Sequence, residues 1–119
     1  MRVSLYIFND MNIQEFEYNA DKAANLMKSL GSPARLMLLC HLADGERSVG
    51  ALAEATGLRM TAVSQNLAVL RAARIVSQRR EGTTIYYRLA DPVVSELIGV
   101  LYRAYCGARP AKKSRLIKR

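Results

Sequence analysis

The stretch 61–89, TAVSQNLAVLRAARIVSQRREGTTIYYRL, constrains the fold more than the rest of the chain does. Val63, Leu67 and Leu70 recur at i, i+4 and i+7, so they share one face of a helix. Thr61, Ser64, Gln65 and Ala68 fall on another face, small or polar and bare of long apolar side chains. Such a face suits the floor of a DNA major groove, where hydroxyl and amide groups hydrogen-bond base edges and Ala68 permits close approach. Residues 75–80 and 84–89 then alternate as strands. Glu81-Gly82-Thr83 joins them, with Gly82 able to supply a positive φ. A helix followed by a basic hairpin predicts a winged helix-turn-helix. The competing expectation is an ordinary α+β fragment whose arginines are merely solvated.

Charge weighs between these two. The net charge is +8, and it is unevenly placed. Residues 59–88 hold six arginines against Glu81 alone, and residues 109–119 hold six basic side chains and no acid, while the remainder is slightly acidic. Concentrated positive charge on the candidate reading unit is the footprint of a polyanion binder. A solvated tail would explain the second cluster but not the first. The length of 119 residues predicts one domain. No apolar run is long enough to span a bilayer and residues 1–8 lack a signal-peptide cleavage site, so no membrane is expected and the cytoplasm is the default compartment. No Ser/His/Asp set, phosphate loop or carboxylate pair is present, so an enzyme is not expected and no cofactor is called for.

Along the chain, residues 1–13 form a leader with no clean period. A domain over 14–107 and a basic, disordered tail over 108–119 complete the expected division. Residues 14–30 read as one helix with Phe16, Ala20, Ala23, Ala24, Met27 and Leu30 on its apolar face, stopped by Gly31. Ser32-Pro33 is a cap-plus-proline start for a second helix to about Ala43, whose Leu36, Met37, Leu39, Cys40 and Leu42 are expected to be largely buried. Asp44-Gly45-Glu46 is a turn. Ser48 caps a third helix, with Leu52 and Ala53 facing inward, and Gly57 ends it. That helix and the one in 61–89 make the helix-turn-helix pair. Asp91-Pro92 opens a last helix to about Cys106, where Gly107 stops it. Val94, Leu97, Ile98, Leu101 and Tyr105 form an apolar stripe generous enough to predict a two-fold dimer. The fold expected is mainly α with a β-hairpin wing, five helices in all.

Leu30-Gly31-Ser32-Pro33-Ala34-Arg35-Leu36, the Ala62-Val63-Ser64-Gln65-Asn66-Leu67 helix, Arg79-Arg80-Glu81-Gly82 and Tyr86-Tyr87-Arg88-Leu89 together resemble the ArsR/SmtB family of bacterial repressors. The likeness covers about residues 15–106. It implies a homodimer built through the first and last helices, binding double-stranded operator DNA with an affinity that an inducer changes. On the matching positions it places Thr61, Ser64 and Gln65 at base edges and Arg79, Arg80 and Arg88 on backbone or minor groove. Arg59 departs from the pattern, which usually has Ser or Thr before the recognition helix, unless Thr61 caps a shorter one.

The family is named for metal sensing. One class carries Cys-x-Cys on the first helix of the DNA-binding pair, where this chain reads Val49-Gly50-Ala51-Leu52-Ala53-Glu54. Another uses Asp and His on the last helix, where this chain offers Asp91 and Glu96 but no histidine. The single histidine, His41, is expected to be a hydrogen-bonded helix residue rather than a ligand, so no metal site is expected. By their residue type alone, Cys40 and Cys106 are two ordinary buried cysteines. Their positions, late in the second helix and at the end of the last, look like the family's redox and persulfide-sensing branch. There, oxidation or persulfidation links the pair and weakens DNA binding. The resemblance carries that role to Cys40 and Cys106, with reactive sulfur species or oxidants as inducer. A metal- or arsenite-responsive repressor is the alternative. Burial among leucines would raise the Cys40 pKa, so Cys106, near Tyr102, Arg103 and Tyr105, is the expected first nucleophile and Cys40 the resolving thiol.

Overall fold

The computed structural model describes residues 12–106. The expectations for most of the leader, for Gly107 as a helix stop and for the basic tail therefore lie outside the described residues. The elements run α1 (Ile13–Tyr18), α2 (Ala20–Leu30), α3 (Pro33–Leu42), β1 (Arg47–Ser48), α4 (Val49–Thr56), α5 (Met60–Ala72), β2 (Val76–Glu81), β3 (Thr84–Leu89) and α6 (Pro92–Tyr105). The strands form one antiparallel sheet in the order β1-β3-β2. This is the winged helix-turn-helix expected, with α4 and α5 as the helical pair and β2-β3 as the wing.

Local chemistry sets most boundaries. The Ser32 hydroxyl accepts from the Arg35 N–H at 3.2 Å, with Pro33 in the first turn of α3. Ser48 accepts from Ala51 N–H at 3.1 Å, and Asp91 accepts from Val93 N–H at 2.9 Å ahead of Pro92. Each fills one of the donors that a helix start leaves unpaired. Gly57 ends α4 in the left-handed region at φ 77°. Gly82 opens the two-residue wing turn at φ 64°, the positive first position that matches the twist of the flanking strands.

Two features differ from the sequence expectation. Six helices are present among the described residues rather than five, because the single helix expected over 14–30 breaks at Asn19. Asn19 sits at φ −104°, ψ 9°, and its side-chain amide donates to the Glu15 carbonyl at 3.2 Å. That is the local competition with helical geometry for which Asn is suited. The second is β1, whose two residues pair Arg47 with Tyr87 and Ser48 with Tyr86. Two residues carry no periodicity from which a strand could be read.

The core gathers Leu38, Leu39 and Leu42 of α3, Leu52 of α4, the predicted stripe Val63, Leu67 and Leu70 of α5, Ile75, Val76 and Tyr87 around the sheet, and Val94 and Ile98 of α6. Tyr86 and Tyr87 alternate as expected, Tyr87 buried and Tyr86 half-buried. One burial expectation needs correction. On α3 it is Leu38 that is sealed in, Leu36 and Met37 are half-buried, and Cys40 is exposed. A ten-residue helix packed on one side keeps its other side in solvent. On α1 and α2 only Leu30 is buried, while Phe16 and Met27 are 53% and 58% exposed. The α6 stripe divides: Val94 and Ile98 enter the core, whereas Leu101 is partly exposed and Tyr105 is 82% exposed. No helix among the described residues is long and apolar enough to cross a membrane.

Candidate nucleic-acid interface and thiol pair

The turn between α4 and α5 is fixed by a residue that the sequence reading passed over. Thr56 is fully buried; its hydroxyl donates to the Leu52 carbonyl at 2.7 Å and accepts from Leu58 N–H at 3.2 Å. A Thr directly before the helix-ending Gly57 was the available signal. With the turn held, burial of Val63, Leu67 and Leu70 leaves one orientation for α5. It places Thr61, Ser64, Gln65 and Ala68 together on the exposed side. Between this face and the wing tip runs an open furrow of about 450 Å³ bordered by Ser48, Gly50, Met60, Ser64, Thr83 and Thr84.

Arg59 occupies the position before α5 with φ −68°, ψ 150°, and no side chain caps the helix there. A cation at a helix N-terminus also opposes the backbone dipole. Its backbone already has the extended geometry a capping Ser needs. Arg59→Ser is therefore expected to raise stability by about 1 kcal/mol, read as a shift in the denaturant midpoint at unchanged m-value. An unchanged or lower midpoint would show that Arg59 makes a compensating contact.

The wing arginines are not equivalent. Register pairs Ser77 with Arg88, Arg79 with Tyr86 and Arg80 with Ile85. Alternation then puts Arg79 and Arg88 on one face and Arg80 on the other. Arg79 is engaged: Nε and Nη2 donate to the two Glu46 carboxylate oxygens at 2.8 and 2.9 Å, and Nη1 donates to Glu81 at 2.9 Å. Its guanidinium also lies 4.6 Å from the Tyr86 ring centroid. The hydrogen bond from Arg79 holds the Glu46 carboxyl below its ordinary pKa, with the nearby positive charge of Arg88 acting the same way. The fork thus ties the turn before β1 to the wing. Arg80 and Arg88 are exposed and make no side-chain hydrogen bond or ion pair among the described residues.

The two cysteines lie at the ends of helices that pack on each other, Cys40 in the last turn of α3 and Cys106 at the C-cap of α6. Both are exposed. Cys40 nonetheless has enough protein around it for burial to push its thiol pKa upward, and the negative charge of a Cys106 thiolate adds to that rise. The Nε2 of His41, beside Cys40 in sequence, is buried without a hydrogen-bond partner among the described residues, contrary to the expectation of a hydrogen-bonded ring. Burial and the charge of Arg47 lower its pKa, so the ring is neutral near pH 7. Among the described residues no three His, Cys, Asp or Glu side chains are gathered where a metal ion could be held.

Comparison with known proteins agrees with this architecture. Residues 32–78 match the family described as "Bacterial regulatory protein, arsR family". The transcriptional activator HlyU of Vibrio cholerae is 43% identical over 82% of this chain and 91% of its own length. The crystal structure of the transcriptional repressor BigR from Xylella fastidiosa superposes with a TM-score of 0.76 at 42% identity, covering 81% of this chain and 98% of that one. Reduced HlyU from Vibrio cholerae superposes with a TM-score of 0.74 at 42% identity, covering 78% and 98%. A buried α5 stripe behind a polar face, a hairpin wing and these similarities lead to one conclusion: the chain is a DNA-binding transcriptional regulator that belongs to the arsR family.

Proposed function

We propose that this chain is a homodimeric repressor that reads operator DNA with α5 and releases it when Cys40 and Cys106 are oxidised or joined through sulfur. The observation that carries the DNA reading is the exposed hydroxyl and amide face of α5 beside the exposed cations Arg80 and Arg88. Thr61, Ser64 and Gln65 reach base edges; Arg80 and Arg88 meet phosphates. Arg79 stiffens the wing through Glu46 and contributes to DNA binding chiefly by holding its neighbours in place. The dimer reading rests on the bare apolar surface of α1, α2 and the second half of α6. Ile13, Phe16, Tyr18, Met27, Tyr102 and Tyr105 are all more than half exposed there, which is costly unless a second copy covers them.

The switch reading rests on two exposed thiols carried at the ends of α3 and α6, helices that pack on each other. Cys106 attacks the outer sulfur of a low-molecular-weight persulfide, becoming Cys106–S–SH and releasing the donor's thiolate. The Cys40 thiolate then attacks the inner sulfur, forming the disulfide and expelling HS⁻. A second sulfur transfer before closure leaves one more sulfur in the bridge. With peroxide, Cys106 passes through a sulfenic acid, and closure releases water. A bridge pins α3 to the end of α6, which shifts the dimer helices against the reading helices and spoils their match to half-sites about one helical turn apart. That one relative is named as reduced HlyU is in keeping with this reading.

DNA reading is tested with duplexes that the wild-type protein selects from a random pool. Gln65→Ala should weaken binding to the selected sequence by about tenfold or more and leave random duplex unaffected. Arg80→Gln should weaken both alike and reduce the salt dependence by about one counterion per protomer. Binding that is indifferent to salt on every duplex would overturn the DNA reading.

A further inference from the structure

One hydrogen-bonded group joins the bare helices to the reading helix, and it lies outside both the α5 face and the thiol pair. Arg35, in the first turn of α3, is half-buried. Its Nε donates to the Ser29 carbonyl at 2.6 Å and its Nη2 to the Lys28 carbonyl at 3.4 Å, both in the last turn of α2. Its Nη1 donates to the Asn66 side-chain oxygen at 3.3 Å. Asn66 sits in the middle of α5, half-buried, and its amide donates back to the Ala62 carbonyl at 2.9 Å. A guanidinium only donates, so the Asn66 atom facing it is the oxygen, which leaves the NH₂ for Ala62. All three bonds from Arg35 are charge-assisted, and its planar fork fixes their mutual direction.

We propose that Arg35 and Asn66 are a positioning pair that sets α5 against the end of α2, and so fixes the distance between the two reading helices of the dimer. This rests on the dimer reading above. Hydrophobic contact between α3 and α5 is non-directional and permits small slides of one helix along the other. The Arg35 fork does not: moving α5 by the length of a hydrogen bond breaks the link to Asn66 or to the α2 carbonyls. Neither residue belongs to the exposed reading face.

Asn66→Ala removes the acceptor and leaves Arg35 its two α2 carbonyls, so the chain still folds. Asn66→Asp keeps an acceptor toward Arg35 and serves as the conservative rescue. The measurement is affinity for the selected operator and for versions with one base pair added or removed between half-sites, beside the Tm of each variant. Wild type should discriminate against altered spacing by about tenfold. Asn66→Ala should bind all three spacings within about threefold with its Tm nearly unchanged, and Asn66→Asp should restore the discrimination. Spacing discrimination kept in full by Asn66→Ala would overturn the positioning role alone. Wild type that binds every spacing equally would overturn the dimer reading and the positioning role with it. A loss of affinity for all spacings in proportion to lost Tm would show a merely structural contact and also overturn the proposal.

Discussion

Leu67→Ala is expected to lower the unfolding free energy by about 2–5 kcal/mol, a large part of the roughly 5–15 kcal/mol available to a domain of this kind. Leu67 is fully buried between Val63 and Leu70 on the inner stripe of α5, and the core there is closed on all sides by α3, α4 and the sheet. Removing its three outer carbons deletes their transfer free energy and leaves a cavity that the two flanking residues are poorly placed to fill. At roughly 4–8 °C per kcal/mol for a domain of about this size, Tm should fall by about 8 °C or more. Because the same stripe orients Thr61, Ser64 and Gln65, specific DNA binding should weaken even below the new Tm. Calorimetry and denaturant titration check the first part. A change under about 1 kcal/mol would mean that α5 is not anchored through this face.

Cys106→Ser is expected to abolish the response to a persulfide donor or peroxide while leaving reduced-state DNA affinity within about threefold, since the side chain is exposed and outside the reading face. Cys40→Ser should behave differently: Cys106 still takes up sulfur, but no bridge closes, and the intact mass shows a persulfide without a link. The raised Cys40 pKa adds a pH signature. Because that pKa lies above the ordinary 9.0, Cys40 is mostly protonated near neutrality, and bridge closure should accelerate as pH rises toward and beyond 9. The first sulfur transfer to Cys106 does not depend on Cys40 and persists in Cys40→Ser at every pH. A bridge that closes at one rate from pH 7 to pH 10 would place the resolving thiolate elsewhere.

What the sequence disclosed, and what it withheld, divides by the range of the interaction. Ser32, Ser48 and Asp91 announce helix starts because a cap is satisfied within three residues, and Gly57 and Gly82 announce turns because a positive φ is a local demand. The stripe Val63, Leu67 and Leu70 is legible because a helix period converts spacing into a face. Asn19 was misread because apolar spacing continues through it, while its own side chain breaks the helix by bonding Glu15. Cys40 was placed indoors because its sequence neighbours are leucines. Which side of α3 faces the core depends on α4, α5 and β3 together, and the sequence of α3 is apolar nearly all round. The same limit hid the spending of Arg79 on Glu46, thirty-three residues away, and the link from Arg35 to Asn66, thirty-one residues away. Both are partnerships between side chains that only the assembled fold brings together. The exposed polar face of α5 is legible in the sequence, and the side chains bonded to that helix from elsewhere in the chain are not.

The central claim is that thiol chemistry on α3 and α6 controls DNA affinity on α5. Its most direct measurement is the dissociation constant for the selected operator, with wild type and Cys106→Ser each held in dithiothreitol and then treated with a persulfide donor. Wild type should lose about tenfold or more in affinity on treatment and regain it with fresh reductant, while Cys106→Ser should bind equally in both conditions. A Cys106→Ser variant that loses and regains affinity as wild type does would contradict the account.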